Sequence, residues 1–355
     1  MASSCNFKKE LNKVLFEGGS SYREVILNRP TKLNSLDYEV MSQMLKNFRD
    51  FETDSVVKFV ILKANGKAFC AGGDVVSLVN SVLAGHWSFG ARFCKKQFKL
   101  DYLLATYQKP LLFAMPEVFI GHFPDVGASQ FLSRLPGHFG EYLGLTGARI
   151  NGAEMLACGL ATHFVFSKDL SSLENALKTL PSSSDMTTIC QIINKFAHKP
   201  NLKQDTIYQT QRLETLNECF SNDTVEEILL ALENEAKNNA ETWISKAINS
   251  MKAVSPTSLK IALRSIRQGR DQNLKQCLIR EYTICCNILR ATISNDFYEG
   301  SRAMLIDKDK KPKWKPSKLE LVSEEMVDRY FTGIDGKYLK ITDRSVMAGV
   351  LKPKL

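Results

Sequence analysis

Residues 12–17 and 22–27, each holding a short apolar run (Val14-Leu-Phe16 and Val25-Ile-Leu27), predict two β-strands. Gly18-Gly19-Ser20-Ser21 between them predicts a hairpin turn. Asn28-Arg29-Pro30 then breaks the second strand. Ser35 or Asp37 can cap a helix running to about residue 51, with Val40, Met41, Met44, Leu45 and Phe48 on one face. Residues 57–63 form a near-continuous apolar run, the pattern of a strand buried on both faces, and Asn65-Gly66 closes it. Residues 89–106 predict a long amphipathic helix that ends before Lys109-Pro110. Helical pieces are expected over 126–135, 142–147 and 153–159, and a returning strand over 160–166. Beyond about residue 168 strand patterns nearly vanish. Thr224-Val-Glu-Glu227 has the form of a capping box. Ser255-Pro256 places a cap and then proline at the first helical position, ahead of Leu259, Ala262, Leu263 and Ile266, and Gly269 stops that helix. The expected class is α/β, with a mixed core over residues 1–200 and a helical region over 201–355.

Composition narrows this picture. A hydrophobic content of 44% is ordinary for a globular chain with a sizeable core. No apolar run approaches a membrane span. The nine cysteines are scattered and form no Cys-x-x-Cys pair, so neither zinc nor a disulfide framework is indicated and a reducing compartment fits best. The net charge of +9 admits nucleic acid, a membrane surface or an anionic small substrate. The one dense basic run, Lys308 to Lys315 around Trp314, reads first as a solvated loop; nucleic acid and a phosphate-rich cofactor such as coenzyme A are the other readings. The amino end has no apolar signal core and no arginine. Pro353-Lys354-Leu355 resembles the Ser-Lys-Leu address read by the peroxisomal import receptor, departing from it at the first residue.

Two stretches carry candidate chemistry. Ala68-Phe-Cys-Ala-Gly-Gly-Asp74 followed by apolar-spaced Val75, Val76, Leu78 and Val79 reads as strand, glycine turn and helix start. Backbone N–H groups at such a turn can hold phosphate or a developing oxyanion. Phe113-Ala-Met-Pro-Glu117 to Phe123-Pro-Asp-Val-Gly127 sets two carboxylates eight residues apart inside an apolar run punctuated by proline and glycine. Taken alone, these acids are equally well read as exposed turn residues.

The motifs also occur in a set order. Leu27-Asn-Arg-Pro30, the Ala-Gly-Gly-Asp turn, Met-Pro-Glu117, Phe-Pro-Asp125, Leu145-Thr-Gly147, Gly159-Leu-Ala-Thr-His163, Ser255-Pro-Thr-Ser-Leu-Lys260, Phe297-Tyr-Glu-Gly300 and Lys313-Trp-Lys-Pro316 follow one another. This order resembles the 3-hydroxyisobutyryl-CoA hydrolase family of the crotonase superfamily, across nearly the whole chain. The resemblance implies a crotonase-like ββα spiral with a helical carboxyl-terminal region. It also implies hydrolysis of a short 3-hydroxyacyl-CoA thioester in valine breakdown, without a metal and with coenzyme A as part of the substrate rather than a cofactor. It places the attacking or water-activating carboxylate on Glu117 and the proton-handling one on Asp125. Ala68, Ala71, Gly72, Gly73 and Gln97 are implied in substrate binding, with Gly73 N–H as an oxyanion donor and the adenine end near Ala68 and Ala71. An enoyl-CoA hydratase or isomerase on the same fold, and an acyl-CoA-binding protein without turnover, are the alternatives. A peroxisomal residence is expected, with cytoplasm or mitochondrion as alternatives. The partner is an acyl-CoA, with no nucleic acid or membrane, and a homo-oligomer is allowed.

Two departures stand out. Only Leu111-Leu112 separates Pro110 from Phe113-Ala-Met-Pro-Glu117, where the family carries a strand, a Gly-Gly-Gly turn opening a helix, and another strand. The second oxyanion donor belongs to that unit. Gln97 stands where the family often has glutamate.

Overall fold

A computed structural model describes residues 12–107, 120–202, 207–208, 210–238, 241–336 and 338–342. The expected hairpin forms as β1 (Val14–Gly18) and β2 (Tyr22–Leu27), antiparallel with Val14 opposite Leu27. Strand β3 (Phe59–Ala64) lies parallel to β2 on its other side, with Tyr22 opposite Phe59. The order β1-β2-β3 completes the sheet of the described residues.

The parallel β2–β3 connection runs through α1 (Tyr38–Thr53). Asp37, not Ser35, caps that helix, accepting from the Glu39 and Val40 N–H groups. The expected stripe of Val40, Met41, Met44, Leu45 and Phe48 is buried. Helices α2 (Val75–Leu83) and α3 (Ser88–Ala105) follow. Phe98 of α3 is fully buried and meets Tyr282 edge-on, and Tyr107 just past the helix meets Phe48 the same way.

Beyond residue 120 come α4 (Ala128–Leu132), α5 (Phe139–Thr146), α6 (Gly152–Ala157), α7 (Leu170–Lys178), α8 (Met186–Phe196), α9 (Thr210–Phe220), α10 (Val225–Asn238), α11 (Thr242–Ala253), α12 (Pro256–Gly269), α13 (Leu274–Arg290), α14 (Asp296–Ser301) and α15 (Glu324–Phe331). Thr224 and Glu227 form the expected capping box, and Ser255 caps α12 with Pro256 behind it. The helix expected over 126–135 is shorter, because Val126 and Gly127 both take positive φ and delay its start.

No strand forms over residues 160–166. A strand needs a ladder, and none of the three described strands reaches this segment. Its backbone is tied instead by Ala161 N–H to Met155 O and His198 N–H to Phe164 O. One apolar cluster joins α1, α3, α4, α5 and the helices from α9 onward, while Phe59 of β3, Leu177 of α7 and Ile189 of α8 form a smaller one over the sheet. The described lysines of the 308–315 run face solvent, while Trp314 is anchored through Nε1–H to Ala253 O. No helix of the described residues is long and apolar enough to cross a membrane, and the described cysteines are free.

Candidate active site

The glycine turn at 71–73 is built from the amino-terminal loop upward. Buried Asn34, in the left-handed region at φ 57°, accepts from Arg29 N–H at 2.7 Å and donates to Asn65 O and Ala68 O at 2.8 Å each. Arg29 donates to Ser35 O and pairs with Asp74 at 3.1 Å. Asp74 in turn caps α2 through Ser77 N–H. The Asn-Arg-Pro and Ala-Gly-Gly-Asp motifs are therefore two halves of one clasp, and Asn34 is its hub.

The backbone donors of the turn can be accounted for one by one. Ala71 N–H goes to Leu33 O and Asp74 N–H to Leu36 O, both at 2.9 Å. Gly72 N–H goes to the Cys70 sulfur at 3.4 Å. Leu36 bridges Gly73 in parallel fashion and bonds to residues 72 and 74, so Gly73 turns its own N–H away. Among the described residues nothing accepts from it. A Cβ at Gly73 would stand 2.5 Å from Gln97 Oε1 and 3.4 Å from the Phe93 ring, so the Gln97 amide lies directly beside the free donor. Ala68 is half-buried and Ala71 exposed, at the outer lip of the turn.

One turn beyond Gln97 on α3 stands Asp101. Its Oδ2 is enclosed and has no hydrogen-bond partner among the described residues. Burial first, then the nearby Asp125 and Glu281, holds this carboxyl well above the usual carboxylate range. Asp101 also helps burial raise the Cys70 thiol. It thus sits within electrostatic reach of both the glycine turn and Asp125.

The Asp125 loop is gripped from two sides. Gly121, at φ 69°, lies so close to α14 that a Cβ would fall 2.3 Å from Asp296 O, and a Cβ at Gly300 would fall 2.5 Å from the Ile120 carbonyl. The Phe-Tyr-Glu-Gly300 motif is thus where α14 meets this loop. From α13, fully buried Glu281 accepts from Gly127 N–H at 2.6 Å, Ser129 N–H at 2.9 Å and the Ser129 hydroxyl at 2.6 Å. Burial outweighs these three donors and pushes its carboxyl up to about 7. Val126 is held at φ 54°, a strained position for a β-branched residue. Asp125 Oδ2 lies 3.1 Å from His122 Nε2, and His122 Nδ1 is buried with no hydrogen-bond partner among the described residues.

His122, Asp125 and Cys285 bring a ring nitrogen, a carboxylate oxygen and a thiol within 4.8 Å of one another, a donor set that suits a borderline-soft divalent metal. The Cys285 thiol would first have to lose its proton, and its contact with Cys94 at 3.0 Å, with burial, holds it well above the ordinary thiol range.

Of the residues singled out in the sequence, the structure gathers Gly72, Gly73 and Gln97 around one donor, with Asp125 linked to them through Asp101. Glu117 lies outside the described residues. Four functional candidates escaped the sequence reading: Asn34, Asp101, His122 and Glu281. Asp101 had a signal, its one-turn spacing from Gln97. Glu281 had none, being 152 residues from Ser129.

The enoyl-CoA hydratase/isomerase family profile matches residues 22–112 and 111–331. A relative from Arabidopsis thaliana named 3-hydroxyisobutyryl-CoA hydrolase 1 is 48% identical, covering 91% of this chain and 92% of its own. This chain belongs to the 3-hydroxyisobutyryl-CoA hydrolase family. A mitochondrial 3-hydroxyisobutyryl-CoA hydrolase of Xenopus laevis is 36% identical over 89% of this chain and 88% of its own. The crystal structure of a carnitinyl-CoA dehydratase from Mycobacterium thermoresistibile superposes with a TM-score of 0.81 at 29% identity, covering 93% of this chain and 98% of that one. The chain therefore has the crotonase-type fold expected of the 3-hydroxyisobutyryl-CoA hydrolase family.

Proposed function

We propose that this chain hydrolyses a short 3-hydroxyacyl-CoA thioester, 3-hydroxyisobutyryl-CoA first among them, as a step of valine breakdown. The observation that carries the reading is the unclaimed Gly73 N–H beside Gln97, on the same enclosed side of α3 as Asp101. The thioester oxygen would take its developing charge to that donor. Glu117 would attack the carbonyl or activate water. Asp125, beside His122, would hold the substrate hydroxyl or water and move the proton. Asp101, whose carboxyl burial holds well above the usual carboxylate range, stands beside the same space. The acyl-CoA names of the relatives support this substrate class.

The same site is incomplete by the family's standard. The family profile matches in two pieces that meet at residues 111–112. Alignment with the Arabidopsis thaliana relative runs over 352 positions and uses 91% of 355 residues, about 323, so about 29 positions face no residue of this chain. Both observations support the loss of the strand–helix–strand unit after Pro110, and the described sheet indeed ends at β3. A missing oxyanion donor lowers turnover by about 10²–10³, or about 2.7–4 kcal/mol. The second reading, an acyl-CoA-binding protein without turnover, draws on this loss.

Thiol release from 3-hydroxyisobutyryl-CoA tests the proposal. Turnover by the folded chain should exceed that of Glu117→Ala and Asp125→Asn. Equal rates in all three, with CoA-thioester affinity retained, would establish the binding protein instead. Peroxisomal residence rests on Pro353-Lys354-Leu355 alone. Three relatives are mitochondrial by name, and a reporter carrying the terminal residues decides between the two.

A further inference from the structure

A second concave surface lies along the seam of α1 and α3. On α1, Tyr38, Leu45 and Arg49 share one helical stripe; on α3, Arg92, Lys95, Lys96 and Lys99 share another. Together they line a cleft of about 290 Å³. At 100° per residue, the cationic stripe of α3 faces away from Gln97 and Asp101. The cleft and the thioester site are therefore on opposite sides of one helix.

Five cations converge on this cleft, and among the described residues none of them forms a salt bridge. Of the α1 carboxylates, Glu39 pairs with Lys13 and Asp50 with Lys46, while Glu52 stands one turn beyond Arg49. Lys96 is held in place by a hydrogen bond to Ser42 Oγ at 2.8 Å and lies 4.2 Å from the Tyr38 ring centre. Arg92 stacks over Phe89. Burial, then Lys95, Arg49 and Lys96, lowers the Lys99 amine below its ordinary value. The protein thus holds like charges together against their repulsion, and a bound anion would relieve it.

We propose that the α1–α3 cleft binds a small polyanion carrying two or more phosphate groups, at a site separate from the thioester site. Its cations are gathered into one bounded hollow rather than drawn out along the surface, which favours a compact phosphorylated ligand over a nucleic-acid strand. The proposal does not depend on thioester hydrolysis.

Calorimetric titration of the full chain with inorganic tripolyphosphate provides the test. Saturable one-to-one binding is expected. Lys95→Gln/Lys99→Gln should weaken it about tenfold or more. Lys308→Gln/Lys310→Gln, which removes the same charge from the exposed run, should leave it unchanged. Tripolyphosphate should also raise Tm in the wild type and the control, and not in the cleft variant. Three results would each overturn the proposal: no binding at millimolar tripolyphosphate; equal weakening in both variants; or single-stranded RNA held by Lys95 and Lys99 when tripolyphosphate is not.

Discussion

Replacing Glu281 with glutamine should change how stability depends on pH. The wild-type carboxyl is fully buried and is pushed from 4.5 up to about 7. Between these values the folded chain keeps a proton that the unfolded chain has released. Stability from this group is therefore complete below about pH 4.5 and is lost as pH rises through about 7. A shift of about 2.5 units corresponds to about 3 kcal/mol. Glutamine cannot titrate, so that slope disappears. It also turns an NH₂ group toward Gly127 N–H or Ser129 N–H, leaving a buried donor unpaired at a pH-independent cost of about 1–3 kcal/mol. Denaturant unfolding of both proteins from about pH 4.5 to 8 reads the effect, because groups that do not interact with Glu281 cancel in the difference, leaving Glu281 and its coupled neighbour Asp101. The gap between wild type and Glu281→Gln should be widest in acid and shrink by about 3 kcal/mol toward pH 8. A gap constant across the range would show that burial does not hold the proton. A gap widening toward alkaline pH would show that the three hydrogen bonds dominate over burial, and the reasoning would fail.

Three further outcomes are expected. Asp101→Asn should flatten the stability profile in the same direction, since its carboxyl is also held above the ordinary range, and unfolding at two pH values checks this. Gly121→Ala should destabilise by at least about 2 kcal/mol, because φ is 69° and the new methyl would meet Asp296 O at 2.3 Å; thermal unfolding reads the loss. Gly73→Ala should move stability by less than about 1 kcal/mol, because the methyl's one close approach is to the flexible end of the Gln97 side chain, with the Phe93 ring at an ordinary 3.4 Å. It should nevertheless lower kcat/KM for the thioester, and a companion Gln97→Ala substitution should recover part of the loss if crowding of the amide is the cause.

Sequence alone determined much of the framework. Local rules set the β1–β2 hairpin, the buried stripe of α1, the capping box at Thr224 and the proline start of α12, because each depends on residues within a few positions of one another. The Ala-Gly-Gly-Asp turn was legible for the same reason. Only tertiary structure decided the rest. Residues 160–166 have a strand-like pattern but no strand beside them, and a ladder cannot be inferred from one segment. Asp37 rather than Ser35 caps α1, a choice fixed by where the chain turns in space. The freedom of Gly73 N–H follows from how Leu36, far back in the loop, bridges across it. The raised proton affinity of Asp101 and Glu281 arises from burial among acids brought from three separate parts of the chain. An electrostatic environment of that kind is a property of packing, and no local pattern in the sequence encodes it.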